Sequence, residues 1–184
     1  MRIVDFTSLT AAQHTTAARI LREALARHQD AYGAPGEAEA QVGKFLGNPE
    51  RLAFAAIDGE TVLGWVGAIR SYSHAWELHP LVVDPARHGG GIGRALVGAL
   101  EDAARAEGML VLHLGTDDDF GGTNLHGLDL FPDVLAKAKD ARSTDHPMGF
   151  YQRLGFEVVG LVPDANGFGK PDILMAKRLI NPPL

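Results

Sequence analysis

Residues Val82–Gly108 read VVDPARHGGGIGRALVGALEDAARAEG. An apolar pair runs into Pro85, then into three consecutive glycines at Gly89, Gly90 and Gly91. A regular pattern follows, with Leu96, Val97, Leu100, Ala103 and Ala104 on one side of a helix predicted over Gly93–Glu107. A loop that leaves a strand and opens a helix presents several N–H groups with no intrahelical partner, at the positive end of the helix dipole. Glycine lets such a backbone adopt positive φ and lets a ligand approach closely. The expectation is an anion site, above all one for phosphate. A nucleotide P-loop would end in Gly-Lys-Ser/Thr, but Gly93 is followed by Arg94 and Ala95. A dinucleotide-binding turn would read G-x-G-x-x-G, but Leu96 stands where the third glycine belongs. A pyrophosphate arm lying across a central loop, as in coenzyme A, meets neither objection. A glycine-rich turn without a ligand stays open on these residues alone.

Outward from this loop the chain reads as alternating strands and helices. RIVDF (Arg2–Phe6) predicts a first strand, and the spacing of Ile20, Leu21 and Leu25 predicts an amphipathic helix over Leu9–His28. A shorter helix is expected over Glu37–Leu46. RLAFAAI and TVLGWVGAI flank Asp58-Gly59-Glu60, a hairpin signal. WELHPLVV (Trp76–Val83) is rich in strand-formers but contains Pro80, which cannot donate a ladder hydrogen bond, so a bulge or break in pairing is expected there. Met109–Gly115 predicts a strand and Thr116–Gly127 a polar, glycine-rich segment. Val134–Ala141 and Met148–Leu154 predict helices, and FEVVGLVP and DILMAKRL two closing strands. No repeat, low-complexity tract or linker is present, so one α+β domain over 1–184 with about seven strands is expected.

Composition narrows the function. The chain has 184 residues, 46% of them apolar and 22% charged, as expected of a globular protein. No run of about 18 apolar residues marks a membrane span. MRIVDFTSLT lacks a signal-peptide core, so a cytoplasmic protein without membrane partners is expected. With no cysteine, disulfides, thiolate metal sites and a cysteine nucleophile are excluded together. Histidines show no HExxH spacing and Asp117-Asp118-Asp119 lacks the EF-hand pattern, so no metal site is expected. The net charge of -6 points away from nucleic acid and toward a cationic ligand.

VVDPARHGGGIGRALV resembles the acyl-CoA-binding motif of the GCN5-related N-acetyltransferases, in which Val-x-Pro precedes Arg/Gln-x-x-Gly-x-Gly/Ala and a helix. Val83-x-Pro85 and Gly91-x-Gly93 match. His88 stands where the family has Arg or Gln, and Arg87 is one place out of register. WELHPLVV, LGTDDD, FYQRLGFEVVG and PDANGFGKPDILMAK resemble the aminoglycoside 6'-N-acetyltransferases of that superfamily. The resemblance implies the GNAT fold: a mixed, mostly antiparallel sheet flanked by helices, with a splayed central strand forming the coenzyme A cleft. It implies acetyl-CoA as donor and an aminoglycoside, a polycationic amine, as acceptor. Antibiotic resistance and a homodimer are implied with it, the dimer using the apolar, proline-bearing end INPPL. Acetylation of another amine (a polyamine, small metabolite or protein lysine) and a coenzyme A sensor without turnover are the alternatives.

Acetyl transfer requires a deprotonated amine, a donor for the developing oxyanion and a proton for the departing thiolate. Without cysteine, direct attack on the thioester is the expected route. By resemblance, the backbone of Leu81, Val82 and Val83 binds the pantetheine arm, with the Leu81 N–H near the thioester oxygen. His88, Gly89, Gly90, Gly91, Ile92, Gly93 and Arg94 take the pyrophosphate, and Tyr151 lies near the sulfur as proton donor. Glu77 and His79, two apart on one strand, point to one face. Glu77 is the candidate base, directly or through water, or else a solvated strand carboxylate. His79 is an acid/base, an orienting group or a structural histidine. Tyr151 is alternatively a core residue, and Trp76 is either a wall of the acceptor pocket or core. Gly115–His146 holds seven acids (Asp117, Asp118, Asp119, Asp129, Asp133, Asp140, Asp145) against Lys137, Lys139 and Arg142. It is either a solvated surface or an acceptor site, in which Asp117 and Asp118 are best placed.

Overall fold

A computed structural model of the chain describes residues 1–28 and 31–181. They form two compact units, Met1–Met109 and Leu110–Leu184. The first contains β1 (Arg2–Asp5), α1 (Ala11–Ala24), α2 (Glu37–Gly43), β2 (Arg51–Asp58), β3 (Thr61–Tyr72), β4 (Ala75–Val83) and α3 (Ile92–Ala106). The second contains β5 (Val111–Asp117), α4 (Val134–Lys139), α5 (Pro147–Arg153), β6 (Glu157–Val162) and β7 (Asp172–Arg178). Seven strands and five α-helices agree with the expected α+β class.

In the first unit β1, β2, β3 and β4 lie in sequence order, each antiparallel to the next. The Asp58-Gly59 signal marks a tight hairpin: Asp58 pairs with Thr61, and Gly59 takes φ +56°. α1 starts later than its apolar pattern because Thr10 caps it. The Thr10 hydroxyl accepts from the Gln13 N–H at 3.3 Å, and the Gln13 amide oxygen accepts from the Thr10 N–H at 2.9 Å. Below the sheet Phe6, Ile20, Leu21, Phe45 and Trp65 are buried together, each contributing about 1.5–3 kcal/mol through removal of apolar surface from water. Trp65 meets its polar requirement by donating from Nε1 to the Ala17 carbonyl at 3.1 Å. α3 buries Leu96, Val97, Leu100 and Ala104 of the expected stripe, while Ala103 is half-buried.

In the second unit β7 lies between β5 and β6, antiparallel to both. Leu112, Leu130, Met148, Ile173 and Met175 are its most buried apolar side chains. The segment Thr116–His146 is held by polar contacts within itself and to the connection between β6 and β7: an isolated bridge joins Thr123 to Ser143, and Gly127 donates to the Gly169 carbonyl at 2.7 Å.

Candidate active site

Strand β4 is bulged where Pro80 predicts it. Leu81 pairs with Val66 and Leu78 with Ala68, so His79 and Pro80 face Gly67 alone across the ladder. The glycines of β3 are explained by the same approach. A Cβ at Gly64 would lie 2.6 Å from the Val82 carbonyl, and one at Gly67 2.6 Å from that of His79. Burial alternates along β4: Trp76, Leu78 and Val82 are buried, while Glu77, His79, Leu81 and Val83 are half-exposed. Glu77 and His79 thus share the partly open side. Trp76 is only 1% exposed, under the Arg70 guanidinium at 5.2 Å from its ring. The structure assigns Trp76 to the core, a correction to the pocket-wall expectation, because strand alternation turns it away from Glu77.

After β4 the chain is clamped before it opens. The Asp84 carboxylate accepts from the Ala86 N–H at 3.0 Å and from the Arg19 guanidinium of α1 at 3.0 Å. The Arg19 hydrogen bond, then that of Ala86, holds the Asp84 carboxyl below the usual carboxylate range. His88 Nε2 lies 3.2 Å from the Val83 carbonyl; a carbonyl only accepts, so the imidazole donates. Gly89 and Gly91 take φ +81° and +77°, with open space where a Cβ would be. Gly91 occupies the cap position of α3 and offers no side chain to the first-turn N–H groups. From Arg87 to Gly91 the loop is exposed, as is Arg94, while Ile92 is buried. Ile92 therefore anchors the helix, and its backbone alone is available to an anion. A fifteen-residue helix with an uncapped, exposed, glycine-led start is what a pyrophosphate requires.

In the second unit α5 presents Tyr151. His146 caps this helix: its Nδ1 accepts from the Met148 N–H at 3.1 Å, so its Nε2 donates to the Asp117 carbonyl at 2.9 Å. Tyr151 is 8% exposed, edge-on to Phe150 and Phe156 at 5.2 and 5.6 Å. Burial pushes its phenol well above the ordinary tyrosine value, so the hydroxyl keeps its proton at neutral pH.

The acidic segment divides. Asp117 is exposed and accepts from the Asn166 amide at 2.5 Å. Asp118 is 0% exposed. Its carboxylate accepts from the Gly121, Gly122 and Thr123 N–H groups at 3.0, 2.8 and 3.0 Å and from the Thr123 hydroxyl at 2.6 Å. Burial alone would raise its pKa; the Thr123 and Gly122 donors outweigh it and hold the carboxyl below the ordinary value. Asp118 is thus the organiser of the loop and not a surface contact for an acceptor, a second correction. Among the described residues no group of three His, Cys, Asp or Glu could hold a metal ion, and no helix is long and apolar enough to cross a membrane.

Sequence reasoning missed three features: the Arg19–Asp84 clamp, the donor nest around Asp118 and Tyr32 beside His79 (Tyr32 hydroxyl to His79 Nε2, 3.4 Å). The Asx-Pro pattern of Asp84-Pro85 is the one local signal that could have pointed to a capping carboxylate.

Known proteins resemble this chain closely. Residues 17–126 match the Acetyltransferase (GNAT) family. A crystal structure of an aminoglycoside 6'-N-acetyltransferase complexed with coenzyme A is 37% identical and superposes with a TM-score of 0.90, covering 100% of both chains. The aminoglycoside 6'-N-acetyltransferase from Enterococcus faecium is 38% identical with a TM-score of 0.88, again over 100% of both chains. The N-alpha-acetyltransferase RimI of Mycobacterium tuberculosis (strain ATCC 25618 / H37Rv) is 38% identical over 77 residues, which are 40% of this chain and about half, 48%, of that relative's length. The chain belongs to the GNAT acetyltransferase family.

Proposed function

We propose that this chain transfers the acetyl group of acetyl-CoA to the 6'-amine of an aminoglycoside, and that one acetyltransferase domain spans residues 1–184. The observation that carries the reading is full-length likeness at 37% and 38% identity to two aminoglycoside 6'-N-acetyltransferases, one of them holding coenzyme A. The exposed, glycine-led start of α3 and the net charge of -6 support it.

In this reading the N–H groups of Gly89–Arg94 take the pyrophosphate, and the backbone of Leu81, Val82 and Val83 takes the pantetheine arm. An aminoglycoside amine arrives as an ammonium and must lose a proton before it attacks. Glu77 accepts that proton, directly or through a water, and His79 orients the acceptor side of β4. The amine lone pair forms the new N–C bond while the thioester oxygen gains negative charge, which the Leu81 N–H stabilises. Collapse breaks the C–S bond, the nitrogen releases its second proton to solvent, and the hydroxyl of Tyr151 supplies the thiolate with a proton that solvent returns to the phenol. Asp117, exposed at the end of β5, adds attraction for a second ammonium of the acceptor.

A role in antibiotic resistance, a cytoplasmic location and a homodimer belong to the same proposal. Of the segment Ile180–Leu184 suggested for dimerisation, residues 182–184 lie outside the described residues. The match to RimI favours a second reading, acetylation of a protein amino terminus. Release of free coenzyme A thiol, measured against a panel of aminoglycosides, polyamines and peptides, separates them. Aminoglycosides turning over at least about a hundredfold faster than peptides, about 2.7 kcal/mol in kcat/KM, is the predicted result. Faster turnover of a peptide would replace the proposal with the second reading.

A further inference from the structure

Tyr32, between α1 and α2, has φ +58°. A bulky side chain in this left-handed region is strained, and such residues persist only where their surroundings over-determine them. The Tyr32 ring packs against the core of the first unit, and its hydroxyl reaches His79 Nε2 at 3.4 Å. Packing alone needs only the ring; the strained backbone also carries the hydroxyl to the histidine. The His79 backbone also lies close to β3 at Gly67. The Phe45 ring fills the space over Gly67, where a Cβ would lie 2.5 Å from that ring and 2.6 Å from the His79 carbonyl. Arg51 of β2 stacks over Phe45 with its guanidinium 5.3 Å from the ring centre.

We propose that Tyr32 is a positioning residue for acetyl transfer, its hydroxyl holding the His79 imidazole in one orientation and one tautomer. The inference rests on the orienting role given above to His79. Burial raises the Tyr32 phenol pKa, against a smaller lowering by Arg51, so at neutral pH the hydroxyl keeps its proton, and in the proposed pairing it donates that proton to Nε2. Donation to Nε2 occupies that nitrogen's lone pair and leaves the ring proton on Nδ1. In that tautomer Nε2 is occupied by the Tyr32 donor and Nδ1 by its own proton, so the pairing leaves the proton of the amine to Glu77. The pair therefore divides the labour on β4: His79 orients, and Glu77 is the base. Tyr32 thereby ties the connection between α1 and α2 to the reacting face of β4.

The test is the imidazole ¹⁵N spectrum of the whole protein at neutral pH, with His79 assigned by comparison with His79→Gln, combined with steady-state kinetics of Tyr32→Phe. Wild type is expected to show His79 as the Nδ1–H tautomer, and Tyr32→Phe to lose that pattern. In the same variant kcat is expected to fall roughly fivefold, the equivalent of one neutral hydrogen bond, with the acetyl-CoA dissociation constant unchanged within about twofold. A wild-type His79 that is charged or carries its proton on Nε2 overturns the pairing, even if the variant fails to fold. Unchanged nitrogen shifts or unchanged kcat in Tyr32→Phe overturns the positioning role. If the wild type acetylates no aminoglycoside, the functional reading fails separately, and the spectrum still decides whether the pair exists.

Discussion

Arg19, on α1, and Asp84, at the entrance of the glycine loop, are 65 residues apart in the chain and joined by a 3.0 Å ion pair. Asp84 is the better shielded partner, and Arg19 also pairs with Glu23 four residues on. Because the Asp84 carboxylate caps the turn at Pro85–Arg87 as well, this clamp sets the direction in which the chain enters Gly89–Gly91. Arg19→Met is expected to weaken coenzyme A binding about threefold to tenfold, with kcat at saturating acetyl-CoA unchanged; isothermal titration and kinetics read the two quantities. The pair also has a pH signature. The folded Asp84 carboxyl lies below its unfolded value, so its stabilisation is complete above the unfolded pKa of about 3.9 and disappears as pH falls through the folded one. The difference in urea midpoint between wild type and Arg19→Met should hold from pH 7 to 5 and close in stronger acid.

Gly91 and Gly93 should respond differently to substitution. Gly91 has φ +77° at the cap of α3, whereas Gly93 lies inside the helix. Gly91→Val places a β-branched side chain in the left-handed region and blocks the approach of an anion, so coenzyme A affinity should fall more than tenfold. Gly93→Ala adds helix propensity worth about 0.5–1 kcal/mol, and thermal unfolding should register it as a gain in stability. Equal affinities for wild type and Gly91→Val would remove the loop from the pyrophosphate site.

Asp117 and Asp118 are neighbours with opposite assignments. Asp118→Asn presents an amide where four donors converge, leaving buried groups unsatisfied at a cost of about 2–3 kcal/mol. A drop in melting temperature of roughly 5–10 °C is expected by calorimetry. Asp117→Asn should leave the melting temperature within about 2 °C and raise the Michaelis constant for an aminoglycoside roughly threefold, since an exposed ionic contact is worth under about 1 kcal/mol. Added salt should shrink that threefold difference.

Tyr151→Phe retains both edge-on ring contacts and removes only the hydroxyl. Turnover should fall at least about tenfold while the acetyl-CoA dissociation constant stays within about twofold, because the hydroxyl acts when the thiolate forms. Single-turnover kinetics isolate the chemical step. No change there would leave Tyr151 a packing residue.

The parts of this fold legible in the sequence are those where one residue type has few alternatives. Asp58-Gly59 specifies a tight hairpin, Pro80 lacks the N–H that its ladder position needs, and Gly89 and Gly91 supply positive φ. Features made by distant segments left no such mark. The run Asp117-Asp118-Asp119 reads as uniformly solvated; the burial of Asp118 depends on the return of the chain at Gly121–Thr123. Trp76 reads equally well as pocket or core until strand alternation is seen. Tyr32 carries no propensity for φ +58°, so nothing local announces its approach to His79. The end of α1 shows the same limit: apolar spacing continues to Leu25, but the helix closes at Ala24.

The position of the acetyl group on the product distinguishes 6'-N-acetylation from every other outcome. The wild-type protein is incubated with acetyl-CoA and an aminoglycoside bearing a free 6'-amine, and the product is resolved by mass spectrometry and two-dimensional NMR. A single added acetyl group is expected, on the 6'-nitrogen, with one coenzyme A thiol released per product molecule. Acetylation at another nitrogen, or no aminoglycoside product under conditions in which a peptide amino terminus is acetylated, would contradict it.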